Sequence, residues 1–417
     1  MQPASAAVMG ALHIAIIGCG VAGQAAALFL TRAGHKVTIL ERFLQPAPVG
    51  AGLLLQPSGL AVLKQLGLYD TAIEAGAEVR GIDGRTIAGR RVLDLHYKDL
   101  DPACRGLGIH RASLFDLLHQ PLLREKIELV CGAAIVKLEQ RDGGVEPIDG
   151  EGRNHGRFDL AIVCDGAHSS LRQTSALRHR APLYPWGCLW GAFHDPEGRF
   201  AGMLSQRFDS TRVMIGVLPV GRNPAAQSDN WVTLFWSLRQ KEIAGWPPMT
   251  MAQWRETLLR YWPALEDLLP APEAMPAMTS ATYRDVMVRQ WRQGRAIFIG
   301  DAAHGTSPQL GQGANLALLD AYYLSQALAE GDVEAALDRF AAMRRGQIAF
   351  YRLASRLLTP FYQSDLAVLG ALRDLAFGPA CHFRPSRRMM LSTLAGIRRS
   401  AFGSEPLDAD GLLRLQS

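Results

Sequence analysis

The chain has 417 residues, 48% hydrophobic and 20% charged. That is an ordinary composition for two or three packed domains and excludes a disordered or fibrous chain. Lys and Arg outnumber Asp and Glu by 44 to 39, and a net charge of +5 on so long a chain is only a weak argument for nucleic acid, which is not expected as partner. The six cysteines (Cys19, Cys104, Cys131, Cys164, Cys188 and Cys381) form no CxxC pair and no metal-ligand spacing. They exclude a disulfide scaffold, call for no metal, and fit a reducing, cytoplasmic setting.

Ala15-Ile16-Ile17-Gly18-Cys19 imitates a lipoprotein cleavage site, but no Lys or Arg precedes Arg32. A signal peptide needs a basic n-region, so a strand entering a glycine turn is expected instead. No apolar run of about 20 residues occurs, so no transmembrane helix is expected.

Leu12 to Ile17 reads as a buried parallel strand. It enters Gly18-Cys19-Gly20-Val21-Ala22-Gly23, then an apolar helix from Gln24 to about Ala33, stopped by Gly34. Lys36 to Leu40 is the next strand, ending at Glu41. This is a βαβ unit with a GxGxxG turn. Gly18 permits the turn, Gly20 lets the backbone approach a pyrophosphate, and Gly23 lets helix pack on strand. The helix N-terminus favours the phosphates, and Glu41 is placed to bond adenosine ribose hydroxyls. Arg42 is either a phosphate-steering group or a plain exposed arginine. The turn does not separate NAD from FAD.

Gly50-Ala51-Gly52 precedes a helix from Pro57 to Leu66. Val79 to Tyr97 predicts short strands around turns at Asp83-Gly84 and Ala88-Gly89. His110-Arg111 opens a helix from Ala112 to Leu123, and Arg141-Asp142-Gly143-Gly144 predicts a hairpin turn. Phe158 to Cys164 is a strand ending in Asp165-Gly166. Val213 to Val220 and Trp231 to Leu238 are β-rich, and Met251 to Tyr261 reads as a helix. Ala296 to Ile299 is a strand that enters Gly300-Asp301, a loop with Pro308 and Gly311-Gln312-Gly313-Ala314-Asn315, and a helix from about Ala314 to Glu330. A carboxylate at a strand end, followed by a Pro/Gly loop and a helix start, suits a polar ligand. The free N–H groups there can face a developing anion.

These motifs, in this order, resemble the single-component FAD-dependent aromatic hydroxylases (group A flavin monooxygenases) over roughly residues 10–400. Leu358-Thr359-Pro360-Phe361-Tyr362-Gln363-Ser364 adds to the match. The resemblance implies an α/β fold: a Rossmann-like FAD-binding domain (1–77, 102–175, 284–352), a mixed β-sheet substrate domain (78–101, 176–283) and a C-terminal helical segment (353–417). It implies bound FAD, transient NADPH or NADH, and O2 as co-substrate. Substrate oxygenation would proceed through a flavin C4a-hydroperoxide. By the same resemblance, Glu41 would bind the adenosine ribose and Arg111 the phosphate or ribityl region. Asp165 would lie near the pyrophosphate, and Gly300-Asp301 would hold the ribityl chain. Pro308 would pass beside the flavin ring, and Gly311, Gln312 and Gly313 would face its N1–C2=O edge. Gly52 and Asn315 belong to the same cofactor-binding set.

The protein's task in such chemistry is placement, and no side-chain nucleophile is needed. A base for a phenolic substrate is not identifiable; His110, His194, Tyr184 and Tyr283 qualify by type only. His304 reads as a packed structural histidine. Leu53, Leu55, Trp190, Met214 and Phe235 are candidates to line the substrate pocket. Trp186, Phe193, Phe208 and Trp236 complete an aromatic set of which strand alternation sends only part inward. The lining suits an aromatic or hydrophobic small molecule more than a small carboxylated benzoate. A flavin halogenase would need a WxWxIP segment, but Trp231 and Trp236 have the wrong spacing, and Lys64 reads as an exposed helix residue. A flavin-dependent double-bond reductase would form its product without oxygen. A non-catalytic FAD sensor would hold a flavin that NAD(P)H does not reduce. The Arg-rich C-terminal segment reads as a cap or homodimer contact in preference to a membrane-binding surface, so the chain is expected to be a monomer or homodimer.

Overall fold

The computed structural model describes residues 9–47, 50–226, 228–244, 250–276 and 278–415. Two sheets organise the chain. The first has six strands in the order Arg292–Gln293, Ala296–Phe298, Leu160–Val163, His13–Ile17, Lys36–Glu41, Glu128–Cys131. All its pairings are parallel except the Arg292–Gln293 hairpin. The period-2 geometry of the strand His13–Ile17 divides it between two cores. Ile14 and Ile16 pack with helices Val21–Arg32, Pro57–Gln65 and Gly313–Ala327, while Ala15 and Ile17 pack with Ile135, Val145 and Phe158 on the other face. A parallel sheet covered on both faces explains why these strands are almost wholly apolar.

The second sheet has the order Thr279–Arg284, Leu183–His194, Ser228–Arg239, Val213–Asn223, Gly202–Asp209, Ala77–Thr86, Gly106–His110, Gly52–Leu55, with Arg91–His96 paired to Ala77–Thr86. It is mixed: Gly202–Asp209 runs parallel to Ala77–Thr86, and the remaining pairings are antiparallel. Gly52–Leu55 and Gly106–His110, from segments flanking the nucleotide-binding core, thus hydrogen-bond into the larger sheet. One face, through Ile215, Val217, Leu234 and Trp236, packs on helix Met251–Tyr261 by way of Trp254 and Leu258. The opposite face presents Met214, Leu218 and Phe235 to Leu54, Tyr362 and Leu391. Helices Ala367–His382 and Arg384–Leu394 follow the long helix Val333–Leu358 and close this side.

The expected turn at Asp83-Gly84 is not formed. Strand Ala77–Thr86 runs through it because it is paired on both sides, and a Cβ on Gly84 would stand 2.9 Å from Phe208 and 3.0 Å from Leu93. Gly84 is a packing glycine. The second expected turn, at Ala88-Gly89, is formed, with Gly89 at φ +85°. Arg141 and Gly144 do face each other across a hairpin with Gly143 at φ +73°. Among the described residues no helix is long and apolar enough to cross a membrane.

Candidate active site

Four of the sequence motifs meet at the C-terminal edge of the parallel sheet. The strands ending at Ile17, Glu41, Val163 and Phe298 lead into Gly18, Glu41 itself, Asp165 and Gly300-Asp301. That edge is where open α/β sheets bind ligands. Gly18 has φ +107°, and a Cβ there would stand 2.8 Å from the Cys164 carbonyl oxygen. A Cβ on Gly23 would overlap the Gly18 carbonyl oxygen. Helix Val21–Arg32 starts three residues earlier than expected, with Gly20 as its cap and no side chain serving its first N–H groups. A Cβ on Gly20 would meet nothing within 4 Å. Uncapped donors facing open space behind a glycine turn fit a phosphate ligand.

Glu41 is buried and braces this turn. Its carboxylate accepts from Cys19 N at 2.7 Å and Phe43 N at 3.0 Å. Arg42 is exposed, with its guanidinium 4.5 Å from the Phe43 ring centre. Asp165 follows the strand Leu160–Val163. Burial raises its carboxyl above the usual range, and its Oδ1 is buried with no partner among the described residues. Such an orphaned acceptor is suited to a ligand donor.

The second half of the site is the loop from Gly300 to Asn315. Gly300 has φ +58°, and Asp301 is exposed at the start of the short helix Asp301–His304. Asp301 Oδ1 lies 3.8 Å from where a Gly313 Cβ would be. Pro308 opens a 3-10 turn, Gly311 is left-handed at φ +60°, and helix Gly313–Ala327 begins with no side-chain cap. Asn315 is committed to the protein, and Gln312 is held at its Nε2 while its Oε1 is buried with no partner among the described residues. Gln312 Nε2 donates to the Leu394 carbonyl at 2.7 Å. Asn315 is fully buried: its Oδ1 accepts from Gln56 N at 2.8 Å, and its Nδ2 donates to Leu54 O at 3.2 Å and Gly311 O at 2.9 Å. Asn315 therefore staples the loop to strand Gly52–Leu55. Gly52 has a packing role as well, since a Cβ there would overlap Thr233 Oγ1.

Two anchors of this loop carry no local signal in the sequence. The first is a buried ionic cluster. Asp320 Oδ2 accepts from Gly300 N at 2.8 Å and lies 2.6 Å from His304 Nε2; Arg344 Nε donates to Asp320 Oδ1 at 2.8 Å. Burial alone would raise the Asp320 carboxyl, but the charges of His304 and Arg344 outweigh it and hold it at about 2. His304 is thus the structural histidine expected. The second anchor is Ser307, beside Pro308. Its hydroxyl meets Ser355 Oγ at 2.9 Å and Thr359 Oγ1 at 2.6 Å, at the end of helix Val333–Leu358.

Arg111 starts helix Arg111–Arg124, and its backbone N–H bonds the Ala51 carbonyl at 3.0 Å. A Cβ on Gly50, at φ +98°, would stand 2.9 Å from Arg111 Cδ. Cys188 Sγ and Tyr283 Oη are 2.6 Å apart, on the sheet face that carries Trp190 and Phe235. Burial pushes the Cys188 thiol to about 12 and the Tyr283 phenol well above its usual range. Burial also raises Tyr184, which neighbours Ser307. Both phenols are therefore neutral donors near pH 7. His110 caps its helix by accepting from Ala112 N at 3.2 Å, and His194 packs against Trp231 with the rings tilted.

Trp190 and Phe235 are 5.2 Å apart and share a cluster with Met214 and Leu54. Strand alternation sends Phe193 and Trp236 to the opposite face, and Phe208 packs against Tyr362. The same alternation separates the leucines of Gly52–Leu55. Leu54 joins the Trp190–Phe235 cluster, Leu55 is fully buried in the nucleotide-binding core, and half-buried Leu53 packs against that core. Lys64 is committed to surface ion pairs with Asp408 and Asp410. A groove of about 610 Å³ lined by Thr71, Asp116, Arg124, Arg222 and Asp229 shares none of the residues that form this site.

A family profile for an FAD binding domain matches residues 11–345. The chain is 28% identical over 318 residues to a probable 2-heptyl-3-hydroxy-4(1H)-quinolone synthase of Rhodococcus erythropolis, covering 75% of this chain and 78% of that protein. It is 30% identical over 393 residues to 3-amino-4-hydroxybenzoate 2-monooxygenase of Streptomyces cremeus, covering 90% and 91%. Its fold is similar to that of Klebsiella pneumoniae HpxO complexed with FAD and uric acid, with a TM-score of 0.76 at 19% identity, covering 94% of this chain and 98% of that one. The chain belongs to the FAD-binding-domain family and has the aromatic-hydroxylase fold.

Proposed function

We propose that the protein is an FAD-dependent monooxygenase that uses NADPH or NADH and O2 to hydroxylate a neutral, hydrophobic aromatic molecule. The observation that carries this reading is the union of a flavin-type loop with an apolar sheet face on which Cys188, Tyr283, Thr233 and Ser237, among the described residues, offer neutral hydrogen-bonding groups. Bound FAD supplies the redox chemistry that activates oxygen. The uncapped helix at Gly20 and the Asp165 carboxyl would receive the phosphate side, and Glu41 the adenosine ribose. Asp301 would accept from the ribityl hydroxyls. The first N–H groups of helix Gly313–Ala327 would stabilise negative charge on the ring edge. Tyr283 and Cys188 would orient the substrate through neutral hydrogen bonds, and Trp190, Phe235, Met214 and Leu54 would exclude water.

Arg111 favours a second reading, an aromatic carboxylate substrate. It is exposed with no ion pair among the described residues, its charge reaches Cys188 and Tyr283, and one relative is named for an aminohydroxybenzoate. The test is incubation of the FAD-loaded protein with NAD(P)H and 18O2, using 4-quinolones, neutral phenols and 3-amino-4-hydroxybenzoate as separate substrates. The first reading predicts a product of a neutral arm carrying one 18O atom. Turnover of the benzoate alone would support the second. NAD(P)H-dependent product formed without oxygen would refute monooxygenation.

A further inference from the structure

Helix Ala367–His382 lies against strand Arg91–His96 through an inner face of Gly370, Arg373, Gly378 and Cys381. Gly378 sits on the Arg91 carbonyl and Gly370 on Ser210, so the helix backbone lies close to the sheet. Its outer face runs through Val368, Leu372, Leu375 and Pro379, spaced at i, i+4, i+7 and i+11, and all are exposed. Val368 is 78% exposed and Leu375 62%, and the stripe continues into Phe383 at 65%. The helix's charged side chains leave this stripe uncharged: Arg373 is fully buried and holds Asp374 at 2.6 Å. Exposed Leu, Val and Phe on successive helical turns differ from the scattered apolar residues of an ordinary surface.

The basic residues around the stripe fall into two sets. Arg356, Arg387 and Arg399 are tied to Asp285, Asp99 and Glu405, and Arg373 and Arg398 are buried. These arginines are committed to the protein itself. Arg384 and Arg388 are not. They are exposed, one turn apart on helix Arg384–Leu394 beside Phe383, and have no ion pair among the described residues. At the far end of the stripe, Asp365 already serves both Arg239 and Arg212. A second copy packed antiparallel across a two-fold axis would bring Arg384 and Arg388 against that cluster, cation facing cation. The uncompensated charge at the Phe383 end of the stripe is positive, which complements an anionic surface and opposes self-association.

We infer that the face formed by Val368, Leu372, Leu375, Phe383, Arg384 and Arg388 docks on anionic phospholipid, with the helix lying in the interface. Exposed apolar side chains on one helix, with two arginines at the Phe383 end that have no ion pair among the described residues, combine the apolar area and the cationic charge that favour an anionic interface. The inference does not depend on the reading of the active site.

The test is co-sedimentation of the FAD-loaded full chain with vesicles of phosphatidylcholine alone and of an equal mixture with phosphatidylglycerol, at low and high salt. Binding to the mixed vesicles, weakened by salt, is expected. At about 1 kcal/mol for each arginine near the surface, Arg384→Gln with Arg388→Gln should lower the partition coefficient roughly thirty-fold. Leu372→Ser with Leu375→Ser should abolish binding, with flavin content and thermal midpoint reporting on the fold. Should that variant not fold, the exposed arginine pair and the salt series still decide. No binding to either vesicle overturns the inference, as does equal binding to both. A concentration-dependent dimer in light scattering, dissociated by the leucine substitutions, would overturn it by assigning the face to a second copy.

Discussion

Asp320→Asn tests how the loop at Gly300 is held. The carboxylate accepts from Gly300 N–H and Arg344 Nε and lies against His304, and both ionic side chains are almost fully enclosed. The amide keeps the shape but removes the charge, leaving the Arg344 guanidinium buried with only neutral acceptors. Breaking one member of such a pair costs about 3–5 kcal/mol. At about 2 °C per kcal/mol, the thermal midpoint should fall by roughly 6–10 °C. Gly300 leads directly into Asp301, so flavin binding should weaken too, by up to about a hundred-fold if some 3 kcal/mol of the loss falls on this loop. Differential scanning fluorimetry and FAD titration of the apoprotein read the two effects. The same carboxyl sets an acid limit. Its folded pKa of about 2 lies below the unfolded value of about 3.9. The stabilisation of about 2–3 kcal/mol is complete above about pH 4 and is lost as the pH falls toward 2. The reasoning fails if Asp320→Asn melts within about 1 °C of wild type, well under the shift worked above, and binds FAD equally well.

Three further outcomes are expected. Gly23→Ala places a methyl on the Gly18 carbonyl, which is backbone and cannot yield, so the purified protein should carry little flavin by its absorbance ratio. Asn315→Ala leaves Gln56 N–H and the Leu54 and Gly311 carbonyls short of partners, at about 1–3 kcal/mol each where burial persists. FAD should then dissociate faster by flavin fluorescence, whereas an unchanged rate would show that the staple is dispensable. Tyr283→Phe should raise KM about ten-fold for a substrate oriented by that phenol, the equivalent of one hydrogen bond of roughly 1.4 kcal/mol. Because burial keeps Tyr283 protonated, its loss should leave the pH–rate profile between about pH 6 and 9 unchanged. A basic limb present in wild type and missing in the variant would make Tyr283 a titrating base.

What was legible in the sequence was what local chemistry dictates. The GxGxxG turn, the strands around it and the helix Met251–Tyr261 follow from glycine positions and apolar period. The turn expected at Asp83-Gly84 failed because strand pairing on both sides overrides a local turn signal. The choice among Leu53, Leu54 and Leu55 depends on which face of a four-residue strand meets which core, and that parity is set by pairing with Gly106–His110. The loop anchors were invisible for a different reason. Asp320 lies 16 residues from His304 and 24 from Arg344, and Ser307 lies 52 from Thr359. Only the packing of helices Gly313–Ala327 and Val333–Leu358 brings them together. The arginines of the last segment looked alike in sequence, and tertiary structure divided them into buried, paired and free.

The most direct measurement of the central claim is anaerobic reduction of the bound flavin by NADPH and by NADH, followed by its bleaching, with and without neutral aromatic ligands. The account predicts reduction by at least one donor, accelerated by a ligand that fills the space beside Trp190, Phe235 and Tyr283. A tightly bound flavin that neither donor reduces, whatever aromatic is present, would contradict a self-sufficient monooxygenase.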